Sequence, residues 1–165
     1  MPLTLELAIE SDVVEIFALK QAVAEDLTKK FGKGHWSSFG TETGVLRSVK
    51  SSALWVARRR TELIAMLSLA TRKPWAIDPA YFTACKSPLY LTDMAVASAL
   101  QGSGIGRECL VDARRIAGDR SAGAIRLDAY DGQAGAGGFY AECGYREVGR
   151  VVYRKRALVY YEALI

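Results

Sequence analysis

Apolar residues recur along this chain with two spacings, every second position and every third to fourth. Leu3, Leu5, Leu7 and Ile9 follow the first and predict a half-buried strand. From Asp12 to Lys30, Val13, Ile16, Phe17, Val23, Ala24 and Leu27 follow the second and predict a helix burying one face. Lys20 interrupts that apolar face, and Asp12 with Glu15 offers a capping pair at its start. Phe31 to Gly40 combines Gly32, Gly34 and Gly40 with His35, Trp36 and Phe39, an aromatic loop. A short helix is expected over Gly44 to Val49. Ala53 to Ala57 and Leu63 to Ala70 read as a hairpin, with Arg58-Arg59-Arg60 as its solvated turn.

Arg72 to Pro88 holds three of the four prolines and reads as a long irregular connection, of the kind that tends to carry function. Leu89 to Ala97 is a strand, Gly104 to Ala117 a helix and Ile125 to Tyr130 a strand. Ala134 to Glu142 is a short helix ended by Gly144, and Tyr145 to Tyr153 and Leu158 to Leu164 are the last two strands. Because tandem strands form hairpins, the sheet cannot be all parallel. The expected class is α/β (α+β), with a mixed, largely antiparallel sheet of about seven strands flanked by helices. No linker or repeat divides the chain, so residues 1–165 read as a single domain.

Composition narrows the function classes. With 165 residues, half of them hydrophobic, the chain can bury a core without disulfide staples. No apolar run is long enough to span a membrane, and the N-terminus lacks the layout of a signal peptide, so a soluble cytoplasmic protein is expected. Cys85, Cys109 and Cys143 are widely spaced and read as reduced thiols. With His35 as the single histidine, a His-cluster metal site cannot be built and no metal is expected. The net charge of +4 suits a polyanionic small ligand or plain solubility. Nucleic acid fits poorly: aromatics do not interleave the arginine run and no zinc-finger or helix-turn-helix spacing is present.

The stretch richest in chemistry runs from Asp93-Met94-Ala95-Val96 through Gln101-Gly102-Ser103-Gly104-Ile105-Gly106-Arg107 into a helix. Glycines at a strand-to-helix turn let a ligand approach the backbone. The first amides of the helix lack internal partners and, with the helix dipole, attract an anion. Arg107 adds a mobile charge at the rim. A turn with only a structural job is the alternative. A P-loop fails for want of a lysine after Gly106, and a dinucleotide fingerprint fails because Arg107 or Cys109 stands where its third glycine belongs.

The pattern that fits is Gln101-x-x-Gly104-x-Gly106 behind the strand. A second block, Leu127-Asp128-Ala129-Tyr130, is followed by Gln133 and by Phe139-Tyr140-Ala141-Glu142-Cys143-Gly144-Tyr145. Together these blocks resemble the GNAT superfamily of acyl-CoA-dependent acetyltransferases over the C-terminal half, from Leu89 onward. The N-terminal half agrees in its order of elements. The resemblance implies a GNAT-like acyl-CoA N-acyltransferase fold with acetyl-CoA as cosubstrate. Gln101, Gly102, Ser103, Gly104, Ile105, Gly106 and Arg107 would hold the pyrophosphate of coenzyme A. The backbone of Met94, Ala95 and Val96 would line the pantetheine arm and polarise the thioester carbonyl. Gln133, where family members often carry asparagine, and Phe139 would also meet the cofactor.

Tyr140 is implied as the general acid that protonates the departing thiolate, with aromatic packing as its alternative. Some relatives place a glutamate where this chain has Thr92, which cannot serve as a base. The adjacent Asp93 is the candidate base, against a structural carboxylate or a water relay. Strict alternation puts Thr92 and Asp93 on opposite faces unless the strand is bulged. His35, Trp36 and Trp75 are the candidates for acceptor binding, or pack as a lid. The expected activity is transfer of an acetyl group to a primary amine of a small molecule, peptide or protein. A non-catalytic acyl-CoA-binding or regulatory domain is the competing class. Many relatives dimerise, so the apolar end Leu158 to Ile165 is either part of a homodimer interface or a buried strand.

Overall fold

A computed structural model describes residues 2–165. The helices are α1 (Val13–Phe31), α2 (Glu42–Lys50), α3 (Ile105–Asp119) and α4 (Gly137–Glu142). The strands are β1 (Glu6–Leu7), β2 (Leu54–Arg59), β3 (Glu62–Ala70), β4 (Leu89–Val96), β5 (Ala124–Tyr130), β6 (Arg146–Tyr153) and β7 (Arg156–Leu164). They form one sheet of seven in the order β1-β2-β3-β4-β5-β7-β6. The β1–β2, β2–β3, β5–β7 and β6–β7 pairs are antiparallel, and β4 and β5 pair in parallel. This is the mixed, largely antiparallel sheet that the tandem strands require. The chain resolves into two compact units, one made of Met1–Leu69 with Thr92–Ala113 and the other of Ala70–Leu91 with Arg114–Ile165.

In the first unit, Ile16 and Leu19 of α1 pack with Val45 and Val49 of α2 and with Leu54, Val56, Met66 and Ala95 from the strands. Thr41 caps α2 by accepting a hydrogen bond from the Gly44 amide at 3.0 Å. Two local expectations need correction. The alternating leucines at the N-terminus form only the two-residue β1: Leu5 is buried, but Leu7 and Ile9 face solvent. Side-chain carboxylates replace a strand partner there, Glu108 accepting from the Leu3 amide and Asp112 from the Leu5 amide at 2.7 Å. Arg58 is no turn residue. It ends the regular part of β2 beside a register shift, and its guanidinium pairs with Asp12 at 2.5 Å and Glu15 at 3.2 Å. Asp12 therefore balances a long-range charge and accepts from the Ile9 amide, with no cap bond of its own to α1.

In the second unit the connection from Arg72 to Pro88 is ordered by buried polar groups rather than left as a free loop. The Tyr160 hydroxyl donates to the Ala76 carbonyl at 2.5 Å and accepts from the Asp78 amide at 3.1 Å, while Ile77 and Phe82 pack against its ring. Glu162, 1% exposed, accepts from both the amide and hydroxyl of Thr83 and from Arg146 at 2.8 Å. Arg126, also buried, donates to the Thr83 carbonyl and the Tyr90 hydroxyl. The C-terminal segment is an interior strand: β7 lies between β5 and β6, and Leu158 to Tyr161 are buried, leaving Leu164 and Ile165 exposed.

Candidate functional site

In the first unit, β4 carries Asp93 in a left-handed conformation, φ 51°. A left-handed residue inside a strand is the backbone signature of one class of β-bulge, and non-glycine residues adopt it only where the surroundings impose it. Asp93 projects to solvent, while Thr92 and Met94 are half-buried and Ala95 is buried. The Asp93 carboxylate faces the ammonium of Lys20 on α1 at 3.7 Å. One helical turn earlier, the ring of Phe17 packs against Phe39 with centroids 5.6 Å apart.

Beyond β4 the chain turns back on itself. The Gln101 side chain donates to the Val96 carbonyl at 3.1 Å, and the Ser103 hydroxyl donates to the Leu100 carbonyl, so both side chains brace the turn from within. Gly102 and Gly104 take φ of +78° and +92°, and a Cβ built on either would meet nothing within 4 Å. A residue with a side chain would be strained there for conformational reasons alone, and the surface above both glycines is open. At the start of α3 the Glu108 amide donates to the Gly104 carbonyl at 3.0 Å. The amides of Ile105 and Gly106 precede it and point out of the helix end. Residues 101–104 and Arg107 are exposed. An open turn at the positive end of a helix of 15 residues, with a cation beside it, is what a pyrophosphate requires, so these residues fit coenzyme A.

The aromatic loop of this unit is closed over itself. The Trp36 ring covers Gly34, where a Cβ would fall 2.5 Å from its atoms, and its indole N–H donates to the Gly32 carbonyl at 2.8 Å. His35 is exposed in the short 3-10 segment His35–Ser37.

In the second unit, Tyr140 lies buried in α4 among aromatic rings: Phe139 at 5.4 Å, Tyr145 at 5.9 Å and Tyr161 at 6.1 Å between centroids. Backbone bonds shape the exit, with the Tyr145 amide donating to the Tyr140 carbonyl at 3.0 Å and Gly144 at φ +86°. Burial pushes the Tyr140 phenol above its ordinary value, and the nearby Asp128 and Cys143 add to the shift. Tyr140 therefore holds its proton throughout the neutral range. Burial also raises the Asp128 carboxyl, opposed by a backbone hydrogen bond and by Arg156. Phe139 is half-buried, Gln133 is exposed, and Trp75 stands 81% exposed on the long connection.

The predicted residues thus fall into two sets. His35, Trp36, Asp93 to Val96 and Gln101 to Arg107 belong to the first unit, and Trp75, Gln133, Phe139 and Tyr140 to the second. Within them, Gln101 meets Val96 and Phe139 meets Tyr140, whereas His35 and Trp75 project to solvent. Two residues escaped the sequence reading as site candidates. Lys20 left a signal, as the lysine on an otherwise apolar helical face. Asp128 left none, because a carboxylate in a strand carries no mark of the burial that perturbs it.

Among the described residues no cluster of metal-ligating side chains occurs, and no helix is long and apolar enough to cross a membrane. The three cysteines are free, and burial raises the Cys109 thiol to about 12. A search of curated protein sequences found no match. Solved structures share the fold. A GNAT-family acetyltransferase from Listeria monocytogenes superposes with a TM-score of 0.78 at 16% identity, covering 99% of this chain and 95% of that one. One from Streptococcus agalactiae gives 0.81 at 13%, with coverage of 99% and 95%. The PaiA N-acetyltransferase from Thermoplasma acidophilum, solved with coenzyme A, gives 0.74 at 12% over the whole of both chains. The profile of the acetyltransferase (GNAT) family matches residues 19–145, more than half of the chain and both blocks of the turn-and-helix pattern, and the chain belongs to that family.

Proposed function

We propose that this chain is an N-acetyltransferase that moves an acetyl group from acetyl-CoA to a primary amine bound beside it. The observation that carries the reading is the open glycine turn at the start of α3, with Gly102 and Gly104 both left-handed and nothing standing over them. Gln101 to Arg107 hold the pyrophosphate through backbone amides and the Arg107 charge. The main chain of Met94, Ala95 and Val96 receives the pantetheine arm, and Gln133 and Phe139 complete the cofactor contacts. The solved PaiA complex with coenzyme A supports this assignment through the shared fold.

In the transfer, the amine nitrogen bonds to the acetyl carbon and the carbon–sulfur bond breaks. Asp93 takes the proton that the amine gives up. Its bulged, solvent-facing position favours this role, whereas a regular strand would tie its direction to the pleat. Tyr140 supplies the proton that the sulfur takes. Burial keeps the phenol protonated in the neutral range and also makes it a weaker acid, so it acts first as a hydrogen-bond donor to the sulfur as charge builds there; general acids typically contribute about 10²–10⁴-fold. His35, Trp36 and Trp75 contact the acceptor.

A thermal-shift titration with acetyl-CoA, free CoA and NAD tests the cofactor assignment. Acetyl-CoA at 100 times its dissociation constant should stabilise the fold by about 2.7 kcal/mol, CoA should act similarly and NAD should not. An amine screen by thiol release then tests turnover. Binding without turnover of any amine would favour the acyl-CoA-binding reading, and no shift at millimolar acetyl-CoA would remove both.

A further inference from the structure

Lys20 lies on the face of α1 that carries Ile16, Phe17, Val23 and Ala24, and its side chain is only 18% exposed. Such a position desolvates an ammonium that can donate three hydrogen bonds. Among the described residues its one ion pair is with Asp93, and at 3.7 Å that contact is longer than a hydrogen bond. Asp93 keeps its half of the pair more open, at 57% exposure, and is held there by a left-handed backbone. On the loop side, the Gly40 backbone approaches the same ammonium. A Cβ placed on Gly40 would stand 3.8 Å from Lys20 Nζ and within 4 Å of nothing else. The Phe17–Phe39 pair lines the same face one turn away.

Two opposite charges 3.7 Å apart, one recessed on an apolar face and the other exposed, suit a ligand that carries both signs. We propose that Lys20 and Asp93 form a clamp that selects acceptor amines bearing a carboxylate, free amino acids foremost, with Lys20 holding the carboxylate and Asp93 the amine. The assignment of the amine to Asp93 rests on the acetyltransferase reading above. A simple alkylamine brings a single positive charge and must approach Asp93 against the Lys20 ammonium. A zwitterion exchanges one long ion pair for two short ones and leaves no charge unpartnered. The recessed position of Lys20 places the carboxylate deeper and leaves the amine at the open, Asp93 end.

The test is calorimetric titration of the CoA-loaded full chain with the proteinogenic L-amino acids and with the carboxamide of each, which keeps the shape and removes the negative charge. At least one amino acid should bind tenfold or more tightly than its carboxamide. Lys20→Met suits the apolar face and should bring that ratio to within twofold, whereas Lys20→Arg should retain part of it. The thermal shift by acetyl-CoA, measured on each variant, reports separately on folding and on the cofactor reading. Carboxamides that bind as well as the acids would overturn the clamp, as would a Lys20→Met variant that weakens both alike. So would a protein that binds acetyl-CoA and acetylates other amines but binds no amino acid. If acetyl-CoA produces no shift, the acetyltransferase reading fails, and the same titration on the unloaded chain decides the clamp by the same ratios.

Discussion

The two compact units present their functional residues in opposite ways. The first offers an exposed turn whose backbone is the proposed anion-binding group: left-handed glycines, amides at a helix end, and side chains such as Gln101 and Ser103 that brace the turn from inside. The second buries the proposed proton donor, the Tyr140 phenol, inside a group of aromatic rings. An anion can be held by any chain that takes up the turn's conformation, so identity there is limited mainly by φ. A proton donor has to be one particular atom, and what the surroundings control is its protonation. Substitutions in the two units should therefore fail for different reasons.

The largest expected effect is on the buried side. Tyr140→Phe removes one oxygen and keeps the ring packing, so kcat should fall by about 10²–10⁴-fold while the thermal shift with acetyl-CoA is retained. An unchanged kcat, followed by thiol release, would reduce Tyr140 to packing and erase the contrast between the units.

Next comes the polar group that pins the long connection in the second unit. Burial opposes ionisation of Glu162, but the bonds from Thr83 and Arg146 outweigh it and hold the carboxyl below its ordinary value of 4.5. The folded pKa is lower than the unfolded one, so the unfolded chain binds more protons in acid and stability rises with pH. The contribution is fully present above the ordinary value and is lost as pH falls through the depressed one. Glu162→Gln should cost about 2 kcal/mol at pH 7 in urea denaturation, with the gap to the native chain closing at acid pH. A gap constant with pH would show that the charge contributes nothing.

On the exposed side, Gly104→Ala should cost about 1–2 kcal/mol, because its φ of +92° lies where side-chain residues are strained. The cost should appear either as lost stability or, if the turn relaxes, as roughly tenfold weaker acetyl-CoA binding, read from denaturation and thermal-shift titration together. If both stay unchanged, conformation is not what that turn contributes.

The smallest effect sharpens the comparison within the aromatic group itself. The buried Tyr145 hydroxyl has no hydrogen-bond partner among the described residues, in contrast to the role proposed for its neighbour. Tyr145→Phe should leave kcat unchanged and alter stability by less than about 1 kcal/mol, or raise it, since an unsatisfied buried oxygen is lost. A large fall in kcat would move the proton-donating role from Tyr140 toward Tyr145.

The helices and strands were legible because their signal is local. α1 and α3 carry their burial in helical spacing and β3 and β7 in continuous apolar runs, and the turn from Gln101 to Arg107 is readable because glycine and helix-start chemistry act over a few residues. Where a distant partner settled the outcome, the local pattern misled. Leu7 and Ile9 alternate like a strand but lie exposed, because carboxylates on α3 take the amides of Leu3 and Leu5. Arg58 reads as part of a charged turn but balances Asp12, 46 positions away.

The class of fold, the shape of the glycine turn and the family could be read from the chain alone, because they rest on short-range patterns and on residue types with conformational freedom that others lack. Only the tertiary structure decided that Asp93 leaves the pleat, that Lys20 faces it at 3.7 Å, and that burial raises Asp128 and Tyr140. Electrostatic environment depends on distance in space and on exclusion of water, and neither quantity is encoded in the separation of residues along the chain.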